Sequence, residues 1–130
     1  MPKLKPVRPD DDAAKERFVV RLIDWLEQND LWEEVSIYAC GKRYTDAVYG
    51  DEGEHFETTG KSTPYYVVEC PDPREIVEYA NHELITMTFE GPLYHALNYG
   101  GLEERLQAFF EKYGMYFEYG YAWSLSAYEA

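Results

Sequence analysis

The side chains of this chain that ordinarily titrate near neutrality are His55, His82 and His95, and its candidate thiol nucleophiles are Cys40 and Cys70. A general acid or base needs a partner that orients it, and a thiol nucleophile needs a base beside it. His55, between Glu54 and Glu57, has carboxylates at hand. That neighbourhood equally describes a solvated loop histidine. His82 near a strand start and His95 in a short helix have the same ordinary reading. The motifs H-E-x-x-H and G-x-S-x-G, the Gly-rich phosphate loop and the dinucleotide fingerprint do not occur. No catalytic residue and no enzymatic activity are therefore expected.

Carboxylates are the abundant chemistry. Asp46, Asp51, Glu52, Glu54 and Glu57 crowd one stretch, and hard cations take such clusters. Gly50 and Gly53 fall at the wrong offsets for a calcium loop, so no metal and no cofactor are expected. Together with Tyr49 these acids form the predicted partner-binding residues. The chain holds 25 acidic and 12 basic residues in 130, a formal charge of −13, and 13 tyrosines. Lysine and arginine make most phosphate contacts, so direct binding to nucleic acid or an anionic membrane is disfavoured. Tyrosines among carboxylates on an open sheet face suit a partner rich in arginine and lysine, through ion pairs, hydrogen bonds and cation–π contacts. The function expected is thus a small acidic binding protein: an inhibitor or immunity-type factor that fills a basic, nucleic-acid-binding site on another protein. The alternative is a small-molecule domain whose pocket is lined by Trp25, Tyr121 and Trp123.

The elements that position these residues follow from periodicity. Pro2, Pro6 and Pro9 interleave with Lys3, Lys5 and Arg8, which predicts a flexible basic tail over residues 1–9 and one globular domain over 10–130. Asp10 to Asp12 open a helix carrying Phe18, Val19, Leu22, Ile23 and Leu26 at helical spacing to near Asp30. Alternation predicts strands from Glu34 to Cys40 and from Arg43 to Tyr49, joined by a Gly41-Lys42 turn. Residues 50–63 read as loop, with a strand possible at His55–Thr58, and Tyr65–Cys70 read as a strand. Asp72-Pro73 starts a helix reaching about Ala80, and His82–Glu90 is a strand. Leu93–Asn98 makes a short helix, and Leu102, Leu106, Phe109, Phe110 and Tyr113 line a longer one that ends at Gly114. From Met115 to Ser126 the alternation is unbroken and predicts a single long strand, bent at Gly120, with Met115, Phe117, Tyr119, Tyr121, Trp123 and Leu125 facing the core.

The order mixes hairpins with helical crossovers. It predicts an α+β fold: a largely antiparallel, curved sheet of about five strands, covered on one side by two longer helices, with short additional helices. Charge is uneven, with 8 basic and 9 acidic residues in positions 1–43 against 4 and 16 in 44–130. Two cysteines without C-x-x-C spacing predict free, partly buried thiols. No apolar run is long enough to span a bilayer and the first residues lack the apolar core of a signal peptide, so a cytoplasmic protein is expected.

Overall fold

Phe18, Val19, Leu22, Ile23 and Leu26 do line the buried face of one helix, α1 (Asp12–Gln28), in a computed structural model that describes residues 6–46, 55–58 and 64–130. The carboxylate of Asp11 accepts the Ala14 N–H at 3.0 Å and so caps its first turn. Lys15 is buried but satisfied, because its ammonium donates to the carbonyls of Pro9 (2.8 Å) and Glu83 (3.2 Å) and lies 3.0 Å from Asp12. That one side chain ties the helix start to two distant segments.

The remaining elements are β1 (Val35–Ala39), β2 (Lys42–Thr45), β3 (His55–Thr58), β4 (Pro64–Glu69), a 3₁₀ turn (Pro73–Glu75), β5 (Thr86–Phe89), α2 (Gly91–Asn98), α3 (Glu103–Glu111), β6 (Met115–Tyr119) and β7 (Ser124–Glu129). The class is α+β, as expected, but the sheet has seven strands, in the order β3-β4-β2-β1-β5-β7-β6. Every pairing is antiparallel.

Strand periodicity gives the sheet two unlike faces. Ile37, Tyr44, Met87, Leu125, Ala127, Met115 and Phe117 face α1, α2 and α3 and make the main core with Phe18, Leu106, Phe109 and Phe110. Phe18 sits at its centre, with ring centroids 5.6 Å from Phe109, 5.1 Å from Phe110 and 5.0 Å from Tyr113. The opposite, outer face carries Ser36, Tyr38, Arg43, Thr45, Thr86, Thr88, Ser124 and Ser126. Residues 71–84 lie across part of it as a strap, burying Val77 against Tyr38 and Cys70.

Several expectations are corrected. The hairpin turn is Cys40-Gly41, one residue earlier than expected: Ala39 pairs with Lys42, and both turn residues have positive φ, +55° and +71°. Such a turn matches the twist of the strands it joins. The helix expected after Asp72 is a single 3₁₀ turn, although the cap itself is present, Asp72 accepting the Arg74 N–H at 3.0 Å. The strand expected over His82–Glu90 begins only at Thr86, and the long final strand is two strands joined by residues 120–123. Within the expected tail, Val7 is buried and its N–H donates to the Tyr113 carbonyl at 2.8 Å. Pro6 packs so close to Gly114 (φ +76°) that a Cβ there would lie 2.9 Å from the proline. Pro6 to Pro9 therefore belong to the folded body.

The free edge of β6 is occupied by a side chain. Gln107 of α3 donates to the Phe117 carbonyl (3.2 Å) and accepts its N–H (2.7 Å), standing in for an eighth strand. An unpaired edge invites another strand. We expect Gln107→Ala to cost about 1 kcal/mol and to produce concentration-dependent self-association, read by light scattering after gel filtration.

Candidate functional site

Four of the exposed apolar side chains of the described surface lie together, while Tyr99 stands at the C-terminal end of α2. Ile76 (64 % exposed) and Tyr79 (61 %) stand on the strap, and Tyr121 and Trp123 (41 %) on the β6–β7 turn beside it. The turn is held by its own hydrogen bonds: the Ser124 hydroxyl accepts the Tyr121 N–H at 2.9 Å, and the Gly120 N–H donates to the Ser124 carbonyl at 3.1 Å. Tyr121 and Trp123, two apart on a tight turn, thereby stack nearly parallel, with centroids 5.1 Å apart and a 10° interplanar angle. Tyr121 also meets the Tyr79 ring at 5.6 Å and donates its hydroxyl to Glu78 at 2.5 Å. That bond to a carboxylate holds the phenol in its neutral form and pushes its pKa up to about 12.

The strap that presents Ile76 and Tyr79 is held by polar contacts. Asn81 donates its backbone N–H to the hydroxyls of Thr86 (2.8 Å) and Ser126 (3.3 Å), and its side-chain amide to the Ala127 carbonyl (2.7 Å). The Thr86 and Ser126 hydroxyls are 2.8 Å apart, and Ser126 donates to the Tyr79 carbonyl at 3.0 Å. Tyr79 itself has φ +69°, a left-handed conformation that a residue with a Cβ adopts at some cost.

Between the strap and the sheet runs an open groove of about 380 Å³, lined by Glu34, Ser36, Tyr38, Arg43, Thr45, Asp46, Ile76, Val77, Thr88, Glu90 and Trp123 among others. A smaller depression of about 240 Å³ lies past Tyr79, against Glu118, Tyr119 and Tyr128. Tyr116 packs on Tyr128 across the β6–β7 pair at 5.7 Å. Tyr119 is half-buried toward the helices beside Glu103; burial is the larger cause of a pKa pushed up to about 12. Aromatic rings and carboxylates thus alternate along one face, from Glu90 and Trp123 through Glu78 and Tyr121 to Glu118 and Tyr116.

Of the predicted partner-binding acids, Asp46 is at the groove, where its two carboxylate oxygens accept the N–H groups of Glu34 (3.0 Å) and Val35 (3.2 Å). Glu57 stands in β3 opposite Tyr65. Tyr49, Asp51, Glu52 and Glu54 lie outside the described residues. The predicted pocket trio is not brought together. Trp25 belongs to α1 on the helical side, 5.5 Å from Phe109 and covered by Arg105 at 5.7 Å, whereas Tyr121 and Trp123 stand on the outer side. Tyr119 does stand on the core side, at its rim and 5.7 Å from Phe117, whereas Tyr121 and Trp123 do not face the core as the alternation implied.

Ile76, Tyr79 and Glu78 escaped the sequence reading. The one signal that pointed toward them was a helix start followed by β-branched and aromatic residues that suit a helix poorly.

The thiols are not activated. Burial raises the pKa of Cys40 and of Cys70, and both are free. His82 and His95 are exposed, and His95 lies among the rings of Tyr94 and Tyr99. Among the described residues no three His, Cys, Asp or Glu side chains are grouped to hold a metal ion. No described helix is long and apolar enough to cross a membrane. Compared with protein-family models, with curated proteins and with solved structures, the chain matches none.

Proposed function

We propose that this protein is a binding factor without chemistry of its own, whose outer sheet face docks an arginine- and lysine-rich segment of a partner protein. The observation that supports it is the coincidence on one face of exposed Ile76, Tyr79, Tyr121 and Trp123 with Glu34, Asp46, Glu78, Glu90 and Glu118. Aromatic anchors supply contact area at small entropic cost, and carboxylates steer a cationic partner and fix its register. On the helical side, by contrast, the acids of α1 are interspersed with Arg17 and Arg21.

A partner segment so basic is typically one that handles nucleic acid. The acidic face then takes the place of phosphates, and the protein acts as an inhibitor or immunity-type factor of the cytoplasm, with association accelerated by its net charge of −13. The small-molecule alternative retains Trp123 at a groove but loses Trp25 from it.

The test is titration of a labelled arginine-rich peptide at about 50 mM and about 500 mM salt, over which the screening length falls from roughly 14 to 4 Å. Micromolar binding at low salt, weakened at least about tenfold at high salt and again by the double change Glu78→Gln and Glu118→Gln, is expected. Equal weakening by Glu104→Gln and Glu111→Gln on α3 would show only diffuse attraction and would reject the face.

A further inference from the structure

The groove under the strap has a lining that the docking face alone does not explain. Its walls carry three carboxylates, Glu34, Asp46 and Glu90, against one guanidinium, Arg43, so its net charge is negative. Arg43 is drawn toward the sheet, its guanidinium donating to the Ser36 hydroxyl at 3.4 Å. Hydroxyl oxygens of Ser36, Thr45 and Thr88 add acceptors. The Thr45 hydroxyl donates to the Val35 carbonyl at 3.0 Å, which turns its lone pairs outward as acceptors.

Two further features belong to a binding site. Tyr38 lines the groove with a buried ring, and its hydroxyl, which no described residue pairs with, is not enclosed but reaches solvent and so is open to a ligand. Trp123 has one ring face stacked on Tyr121, and its own ring borders the groove. A flat indole wall, several oxygen acceptors and a net negative charge fit a planar cation with many donors and an apolar stem. At about 380 Å³ the groove is near the lower end of the roughly 300–1,000 Å³ spanned by ligand pockets, room for one side chain.

We infer that this groove receives a single arginine side chain of the partner, its guanidinium on Trp123 and within reach of the Glu90 carboxylate and the Tyr38 hydroxyl, its methylenes against Ile76 and Val77. The inference rests on the proposed docking of a basic segment and names the anchor of that segment.

Agmatine, a butylguanidinium that also carries a terminal ammonium, is the probe, followed by NMR on the full chain with the amides of Ser36 and Thr88 and the Trp123 indole as reporters. Saturable shifts confined to these residues are expected at about millimolar affinity, with 1,5-diaminopentane, which carries the same two charges without a guanidinium, at least about threefold weaker. Tyr38→Phe, which removes only the hydroxyl, should weaken agmatine about threefold to tenfold, and Glu90→Gln by a similar factor. The same two variants should weaken the arginine-rich peptide by matching factors, and a lysine-only peptide less. Shifts that spread over α3, or agmatine affinity unchanged in both variants, would overturn the inference. Peptide binding that survives both variants undiminished would overturn it while leaving the docking face in place. Saturable agmatine binding by a protein that binds no basic peptide would reject the side-chain assignment together with the partner reading.

Discussion

Replacing Phe18 by alanine is expected to remove about 3–5 kcal/mol of folding stability, a large share of the roughly 5–15 kcal/mol that holds a domain together. The ring is 1 % exposed and is surrounded by Phe109, Phe110 and Tyr113 at 5.0–5.6 Å. Two contributions add. The buried apolar area is lost, and the cavity left behind has walls that cannot collapse, because Phe110 is itself held against Phe117 at 5.3 Å. Edge-to-face contacts with Phe110 and Tyr113 go as well. Phe18→Leu, which keeps most of the volume, should cost about 1–2 kcal/mol. Urea unfolding followed by far-ultraviolet circular dichroism measures both, and a loss below about 1.5 kcal/mol for the alanine variant would mean that the aromatic cluster is not the centre of the core.

The second large effect is expected at Asn81, where stability and binding should fall together. Ala127 donates its N–H to the Ile85 carbonyl and accepts from the Asn81 side-chain amide, so Asn81 continues the β7 ladder where β5 has already ended. Asn81→Ala leaves the Ala127 carbonyl without that donor and frees the Glu83 N–H, which the asparagine oxygen accepts at 3.2 Å. Leaving such groups unpaired costs about 1–3 kcal/mol. Through the strap the change reaches the outer face, since Val77 no longer seats over Tyr38 and the groove loses one wall. The arginine-rich peptide should then bind at least about tenfold more weakly than to the parent protein. Wild-type affinity in a destabilised Asn81→Ala protein would separate the strap from the binding face.

These two residues also mark what the sequence makes legible. Phe18 is plain from helical spacing, because the helix it builds needs only local periodicity and an aspartate cap. Strand alternation, equally local, sets Ile37, Tyr44 and Met87 apart from their chain neighbours, and all three lie in the core. Asn81 is invisible, since its partners Ser126 and Ala127 lie at the other end of the chain. The helix expected after Asp72 fails on that account: the hydrogen bonds of Asn81 to distant Ser126 and Ala127, together with a left-handed Tyr79, hold the segment open where a local cap would have continued it.

The final hairpin hides for a different reason. Tyr119, Tyr121, Trp123 and Leu125 keep strict alternation across a turn of four residues, so the pattern of a strand passes through the turn unbroken. Tyr121 and Trp123, rings that alternation assigns to the core, are instead lifted to the surface by the turn. Asp46 was found as an acid in an acidic stretch, and the structure adds that it holds the backbone of Glu34 and Val35 in place. The charge pattern underlies the proposed partner class, and only the fold shows which aromatic residues stand beside the charge.

The position of β5 bears on how the chain reaches its native state. It is four residues long and sits mid-sheet, with β1 on one side and β7 on the other, pairing Ile37 with Met87 and Met87 with Leu125. The hairpins β1–β2 and β6–β7 close small loops and form within microseconds, whereas each flank of β5 must close a loop of about forty to fifty residues. Joining the two halves of the sheet is thus the slow event, on the millisecond-to-second scale of domains dominated by distant pairings. Until it happens, both hairpins carry open edges, and the outer face exists only as two unconnected pieces.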